Sequence, residues 1–271
     1  DIVISCGSSL SAANQVLSFE NNAKSFVIMK PAHFPASRFD LVISHRHDRL
    51  RERDNVVSIT GSLNTVNELS TEMDFKELAK VRRGLSEIPD MKVPKIGVLL
   101  GGDSKHFEFT ACIAESICQQ LREFLKKNRA VILLTTSRRT PKAVTDIFKE
   151  YFSKDSACRL FVVAEEDNPK GTIGGIFYLS DILLVSGESI SMVSEAAASG
   201  KQTVVFAIKS KGKGNKIERF LKDMTARNFI KFVSHEEISR IFEKIISGEE
   251  KTAKLTVEEY VSRKIKGLLK G

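Results

Sequence analysis

The sequence has no tryptophan, only four cysteines and no long apolar run among its 271 residues. The cysteines, Cys6, Cys112, Cys118 and Cys158, form no Cys-x-x-Cys pair, which excludes the usual zinc and dithiol motifs and predicts reduced thiols. No window approaches the roughly 18 apolar residues of a membrane-spanning helix, so none is predicted. The chain opens inside an apolar run with no leader peptide pattern, and we expect further residues upstream of Asp1.

Positive charge is in excess. The 42 lysines and arginines outnumber the 34 acidic residues, which gives a net charge of +8 and a pI near 9.3. This balance favours anionic partners such as nucleotides, phosphates, nucleic acid or a membrane surface. Much of the excess lies in the last third, especially in the run Lys209-Ser-Lys-Gly-Lys-Gly-Asn-Lys216. A solvated loop is the ordinary interpretation of such a run, and its glycines leave phosphate contact as the alternative.

Short apolar runs alternate with amphipathic stretches, the pattern of parallel α/β sheets covered on both faces. Residues 1–90 carry four such runs and predict an N-terminal Rossmann-like domain that is incomplete at its start. Pro89 and Pro94 mark a linker, and residues 95–250 restart the alternation as a second doubly wound domain. Residues 251–271 predict a basic amphipathic helix that packs back on the protein, with peripheral contact to an anionic membrane as the alternative.

The stretch from Asp181 to Gly200 carries the clearest functional signal. An apolar run ends at a Ser/Gly/Glu turn, a helix-like segment follows, and a further apolar run begins at Thr203. In a parallel sheet such a turn opens at the carboxyl edge, where ligands bind and the next helix presents free N–H groups. Ser189 or Ser191 can cap that helix. Glu195, about one turn further, can accept hydrogen bonds from ribose hydroxyls, or can simply be a favourable charge near a helix N-terminus.

A glycine turn follows the first strand of the second domain. It reads Leu100-Gly-Gly-Asp-Ser-Lys105, and glycines without Cβ atoms allow backbone amides to approach a pyrophosphate. Lys105 adds positive charge. The turn lacks the complete P-loop and dinucleotide fingerprints, so neither ATP hydrolysis nor NAD binding is indicated.

An arginine turn follows the next strand, in Thr135-Thr-Ser-Arg-Arg-Thr-Pro141. Ser137, Arg138 and Arg139 could contact a phosphate or a base. Surface arginines at a helix start are the alternative, although positive charge there opposes the helix dipole.

A histidine pair ends the third apolar run, in Ser44-His-Arg-His-Asp48. His47 could act as a general base that Asp48 orients, or it could be a loop histidine that happens to neighbour an aspartate. His45 and His47 could chelate a metal, but no carboxylate or cysteine cluster completes a site at a recognisable spacing, so no metal is predicted.

Seven motifs in order carry a resemblance to the mitochondrial fission Elm1-like family, which comprises a plant fission factor and bacterial relatives. They are Lys30-Pro-Ala-His-Phe-Pro35 with Phe39-Asp40, His47-Asp-Arg-Leu50, Thr60-Gly-Ser-Leu63, Gly101-Gly-Asp-Ser-Lys105, Thr136-Ser-Arg-Arg-Thr-Pro141, Asn168-Pro169 and Ser189-Ile-Ser-Met-Val-Ser-Glu-Ala196. Two positions depart from the family pattern. Glu188 stands where the family has Asp, and His45-Arg46 stands where it has Pro-Glu.

The resemblance implies an α/β fold with two Rossmann-like domains in a GT-B arrangement. It also implies a nucleotide-diphosphate sugar as donor substrate, with no metal and no further cofactor. Acceptor chemistry would fall to His47 and Asp48. The nucleotide side would comprise residues of the turns described above, namely Gly101, Gly102, Ser104, Lys105, Ser137, Arg138, Ser189, Ser191, Met192 and Glu195.

The first functional hypothesis is therefore a metal-independent glycosyltransferase-like enzyme that transfers a sugar to an unknown acceptor. The expected location is the cytoplasm, or the cytosolic face of mitochondria if the chain is from a plant, and no nucleic acid partner is expected. The alternative is a non-catalytic adaptor that recruits fission machinery to the mitochondrial surface. A second alternative is a nucleotide-sugar epimerase, for which His106 is the candidate acid or base.

Overall fold

The computed structural model describes residues 1–212 and 216–269, apart from the side chains of residues 258–260, 268 and 269. The chain divides into two compact units. Unit 1 comprises Asp1–Leu63 with Thr256–Gly271, and unit 2 comprises Asn64–Leu255. Residues 213–215 of the basic run lie outside the described residues.

Unit 1 contains a parallel sheet of four strands in the order β1-β2-β3-β4. The two inner strands are mostly buried, as expected of strands covered on both faces. Val27, Val42, Phe39 and Ala36 form the core on one side of them. The elements are β1 (Ile2–Cys6), α1 (Ser11–Glu20), β2 (Lys24–Ile28), β3 (Leu41–His45) and β4 (Val56–Ile59).

Unit 2 alternates strands and helices along its length. Its elements are α2 (Glu68–Val81), β5 (Lys95–Leu100), β6 (Phe107–Glu108), α3 (Ala111–Lys127), β7 (Val131–Thr136), α4 (Lys142–Phe152), β8 (Cys158–Val162), α5 (Thr172–Leu179), β9 (Ile182–Ser186), α6 (Ile190–Ala198), β10 (Gln202–Phe206), β11 (Lys209–Ser210), α7 (Lys216–Ala226), β12 (Lys231–Val233) and α8 (Ile238–Ile246). The last helix, α9 (Glu258–Leu269), belongs to unit 1. Val257 before it and Val261 within it are buried.

The main sheet of unit 2 has six parallel strands in the order β12-β10-β9-β5-β7-β8. The chain starts at the central strand β5, moves outward to β7 and β8, and then returns to β9 on the other side. This is the doubly wound order of Rossmann folds, and its direction reverses between β5 and β9. Ligands of such sheets bind beyond the carboxyl ends of the strands at this switch point.

Helix α2 belongs to unit 2, although the sequence placed it in a domain ending near residue 90. The reason is its close contact with α5. A Cβ atom added to Gly171 would lie 2.2 Å from the backbone oxygen of Asp74, and Phe75 stacks on Tyr178 with ring centroids 4.8 Å apart. The boundary between the units therefore lies at residues 63 and 64, before α2.

The basic run and the helices bear on contact with anionic partners and membranes. The short strands β6 and β11 pair in antiparallel fashion and hold the start of the basic run against the turn after β5. Within the described ranges, no helix combines the length and apolar character needed to cross a membrane.

Candidate functional site

Three turns meet at the carboxyl edge of the unit 2 sheet. The amide of Gly101 donates to Ser186 Oγ at 2.7 Å, so the turn after β5 is joined to the end of β9 across the switch point. The hydroxyl of Thr140 donates to the carbonyl oxygen of Gly101 at 2.5 Å, which adds the turn after β7. The glycine turn, the arginine turn and the start of α6 thus form one surface.

The two glycines permit close packing at this junction. A Cβ atom on Gly101 would lie 1.6 Å from Glu188 Oε1, and one on Gly102 would lie 1.9 Å from the backbone oxygen of Arg139. The amide of Gly102 already donates to Glu188 Oε1 at 3.1 Å. Both glycine amides are therefore used inside the protein, and the sequence-based role for them, direct hydrogen bonds to a pyrophosphate, does not fit this arrangement.

Glu188 is the site residue that sequence reasoning missed. Its side chain has no exposed surface, and its Oε1 lies 3.7 Å from Arg139 Nη2. Its Oε2 is buried and has no hydrogen-bond partner in the part of the chain that the structure describes. The available signal was an acidic residue in a turn that directly follows the apolar run Ile182–Val185.

The N-terminus of α6 presents free donors. Ser189, rather than Ser191, is the cap, because its Oγ accepts from the amide of Met192 at 3.4 Å. Ser191 is exposed and Met192 is partly buried. The first amides of the helix, those of Ile190 and Ser191, have no intrahelical acceptor and find none elsewhere among the described residues. They can bind an anion.

Glu195 lies further along α6 and is partly buried. Burial raises the pKa of its carboxyl group, because removal from water disfavours the charged form. No hydrogen bond or ion pair joins this carboxyl group to any residue that the structure describes. A partly buried carboxylate without an internal partner can accept hydrogen bonds from the hydroxyl groups of a ligand.

The remaining predicted residues divide into two groups. Ser104 and Ser137 maintain turns, because Ser104 Oγ accepts from the amide of Phe107 at 3.1 Å and Ser137 Oγ accepts from that of Arg139 at 3.1 Å. Lys105 and Arg138 are exposed and make no ion pair within the described ranges. The two cations remain available for an anionic ligand.

The basic run adds charge beside the glycine turn. Lys209 Nζ lies 2.8 Å from a carboxylate oxygen of Glu108, and the amide of Lys211 donates to the carbonyl oxygen of His106 at 2.8 Å. Lys211 Nζ also donates to the carbonyl oxygen of Ser104 at 3.3 Å. The turn after β5 and the start of the basic run are therefore held together.

A separate cluster lies in unit 1, where β3 leads into a one-turn 3-10 helix (Arg46–Asp48). His45 Nδ1 is 3.5 Å and His47 Nε2 is 3.8 Å from the two carboxylate oxygens of Asp48. The second distance exceeds that of a hydrogen bond, so Asp48 does not orient His47 through this nitrogen. The sequence suggested that no carboxylate completes the histidine pair, whereas the structure brings that of Asp48 to both rings.

Solved structures with similar folds define the class of the chain. One is the UDP-GlcNAc 2-epimerase of Neisseria meningitidis bound to UDP-GlcNAc, with TM-score 0.56, 14% identity, and coverage of 100% of this chain and 76% of that chain. Another is a glycosyltransferase of Rickettsia africae, with TM-score 0.51, 14% identity, and coverage of 91% and 66%. Together with the doubly wound sheet, they confirm the predicted class, an α/β fold of the GT-B type.

The chain belongs to the family described as Mitochondrial fission ELM1, whose profile matches residues 1–266. The resemblance drawn from the seven motifs is thereby confirmed. The Mitochondrial fission protein ELM1 of Arabidopsis thaliana is 25% identical over 264 residues, which cover 88% of this chain and 58% of that protein. An uncharacterised protein of Rickettsia prowazekii is 23% identical over 204 residues, 75% of this chain and 52% of that protein. The chain spans little more than half the length of these relatives.

Proposed function

We propose that unit 2 binds a nucleotide-diphosphate sugar and that the protein transfers the sugar to an acceptor. The observation that supports this proposal most is the carboxylate of Glu195, which is partly buried and makes no hydrogen bond or ion pair with any described residue. It lies in α6, whose first two amides have no acceptor among the described residues. A carboxylate in this position can accept from both hydroxyls of a ribose, while the amides of Ile190 and Ser191 hold the diphosphate. The doubly wound sheet supports this arrangement, because its switch point lies between the same turns.

Electrostatics support an anionic ligand at this edge. Arg138 and Lys105 have no acidic partner among the described residues, and the dipole of α6 adds positive potential. Cations and helix amides of this kind can stabilise a leaving diphosphate without a bound metal. The similar fold of a protein bound to UDP-GlcNAc agrees with this class of ligand.

Transfer also requires a group on the acceptor side. The family resemblance implies His47 with Asp48 for this role. The 3.8 Å separation of His47 Nε2 from the carboxylate would have to shorten, as catalytic hydrogen bonds often do when substrate binds. Nucleotide binding by unit 2 does not depend on this step.

A thermal-shift panel of nucleotide sugars tests the proposal on wild type, Glu195→Gln and Glu150→Gln. Glu150 is an exposed glutamate of α4 and serves as the matched control. A ligand at 100 times its dissociation constant stabilises the native state by about 2.7 kcal/mol. We expect at least one nucleotide sugar to raise the Tm of wild type and of Glu150→Gln, and the shift to disappear in Glu195→Gln.

Product analysis separates the remaining functions. Release of the nucleoside diphosphate with an acceptor indicates transfer, whereas interconversion of two nucleotide sugars without an acceptor indicates an epimerase. If no nucleotide or nucleotide sugar shifts the wild-type Tm, the proposal fails and the adaptor function takes its place.

A further inference from the structure

We propose that His45, His47 and Asp48 of unit 1 form a binding site for a divalent transition metal ion such as Zn²⁺. Their candidate ligand atoms, one from each residue, all lie within 4.8 Å of one another. Imidazole nitrogen and carboxylate oxygen are ordinary zinc ligands, and three protein ligands leave a fourth position open to a water or a substrate oxygen. This inference goes beyond the proposed function and does not rest on it.

The separations of the ligand atoms fit a tetrahedral ion. Zinc bonds of roughly 2.0–2.2 Å place two tetrahedral ligands about 3.3–3.6 Å apart. The distance from His45 Nδ1 to Asp48 Oδ2 is 3.5 Å, and that from His47 Nε2 to Asp48 Oδ1 is 3.8 Å. Both distances are within a few tenths of an ångström of these values, whereas the two imidazole nitrogens, within 4.8 Å of each other, would have to approach by up to about 1.5 Å to bind one ion.

Burial and ring stacking restrict the movement of the three candidate ligand side chains. The side chains of His45, His47 and Asp48 retain only 12%, 4% and 19% of their exposure. The two rings stack with centroids 4.9 Å apart and an interplanar angle of 14°.

Positive charge next to the cluster works against a cation. Arg46 and Arg49 flank the ligands in sequence, but both residues are exposed. Their guanidinium groups are therefore screened by solvent, whereas the ligand side chains are largely buried. A bound ion would also occupy Nε2 of His47, so that nitrogen could not accept a proton while the metal is present.

Calorimetric titration of the chelator-treated full chain with ZnCl₂ tests the site, together with Co²⁺ absorption spectra. We expect one ion per chain and a Co²⁺ spectrum of a tetrahedral site with nitrogen and oxygen ligands. His45→Gln and Asp48→Asn should each weaken binding by about tenfold or more, since even groups that only support metal ligands contribute 10–100-fold. Circular dichroism establishes that both variants are folded.

The control variant is His33→Asn, which removes an exposed histidine of the same unit. His33 has φ +64°, a left-handed conformation that asparagine tolerates, so the backbone is kept and Zn²⁺ affinity should match wild type. Unchanged affinity in both ligand variants, absence of binding, or a thiolate band from exposed Cys6 or Cys112 would each overturn the site. The nucleotide response of Glu195 is measured separately, so either proposal can fail without the other.

Discussion

At the residue scale, two glutamates seven positions apart use their carboxylates differently. Glu188 is buried and holds the amide of Gly102, which is 86 residues away in the chain. Glu195 is partly buried and makes no such contact. The sequence could indicate Glu195, because its position follows from the local helix pattern. It could not indicate the contact of Glu188 with Gly102, because that depends on how two distant turns pack.

Replacement of Glu195 by glutamine should stabilise the unliganded protein at neutral pH. Burial raises the folded-state pKa of this carboxyl group above its unfolded value, so the folded state favours the protonated form. The protein therefore has its full stability below the unfolded pKa of about 4.3. As pH rises through the folded pKa, the buried carboxyl group must ionise and the free energy of unfolding falls. Glutamine remains neutral throughout.

Thermal unfolding of wild type and Glu195→Gln from pH 4 to pH 8 measures this effect. We expect the variant to have the higher Tm at pH 7 and the difference to shrink toward pH 4. Glu150→Gln should show no such trend, since Glu150 is exposed. A lower Tm for Glu195→Gln at pH 7 would mean that an internal group stabilises the charged carboxylate.

At the element scale, the sequence indicated most helices and strands but few of their partners. The four apolar runs predicted within residues 1–90 are the strands β1, β2, β3 and β4. The apolar face of an amphipathic helix such as α2 does not reveal which element covers it. The strands β6 and β11 have two residues each, too few for any periodic signal.

Contact between α2 and α5 predicts unequal effects of two glycine substitutions. Gly171 and Gly248 both have φ +81°, but an added Cβ at Gly171 meets the backbone of Asp74, whereas the one at Gly248 meets nothing within 4 Å. Alanine at either position incurs a left-handed backbone penalty of about 1–2 kcal/mol. Gly171→Ala should lose about 1–3 kcal/mol more, because backbone atoms must move.

Urea unfolding of both glycine variants measures these costs, and Gly248→Ala is the matched control for backbone conformation. Hydrogen exchange should also be faster in α2 of Gly171→Ala than in wild type. Equal destabilisation by the two substitutions would show that close approach of α5 to α2 contributes little to stability.

At the scale of the whole molecule, unit 2 is one continuous segment and contains the complete proposed nucleotide site. Unit 1 is assembled from both ends of the chain and contains the histidine cluster. The family and the fold class could be recognised from motifs spread along the sequence. The boundary between the units could not be recognised in this way. Prolines mark a break in local structure, but they do not show which core the residues before the break join.

Two fragments distinguish the structural boundary from the one that the prolines suggested. Residues 64–255 contain the six-stranded sheet and α2, and we expect them to unfold cooperatively and to keep the nucleotide response of the full chain. Residues 95–255 lack the fully buried Leu78, Leu85 and Ile88. Burial of each such side chain contributes about 1.5–3 kcal/mol, a large share of a total stability of about 5–15 kcal/mol.

The shorter fragment should therefore melt at a much lower temperature or aggregate, and it should lose the nucleotide response because its sheet edge is no longer supported. Thermal unfolding and light scattering of both fragments at equal concentration measure the difference. If residues 95–255 unfolded at the same temperature as residues 64–255, α2 would be an accessory to unit 2 rather than part of its core. The boundary suggested by Pro89 and Pro94 would then be the better one.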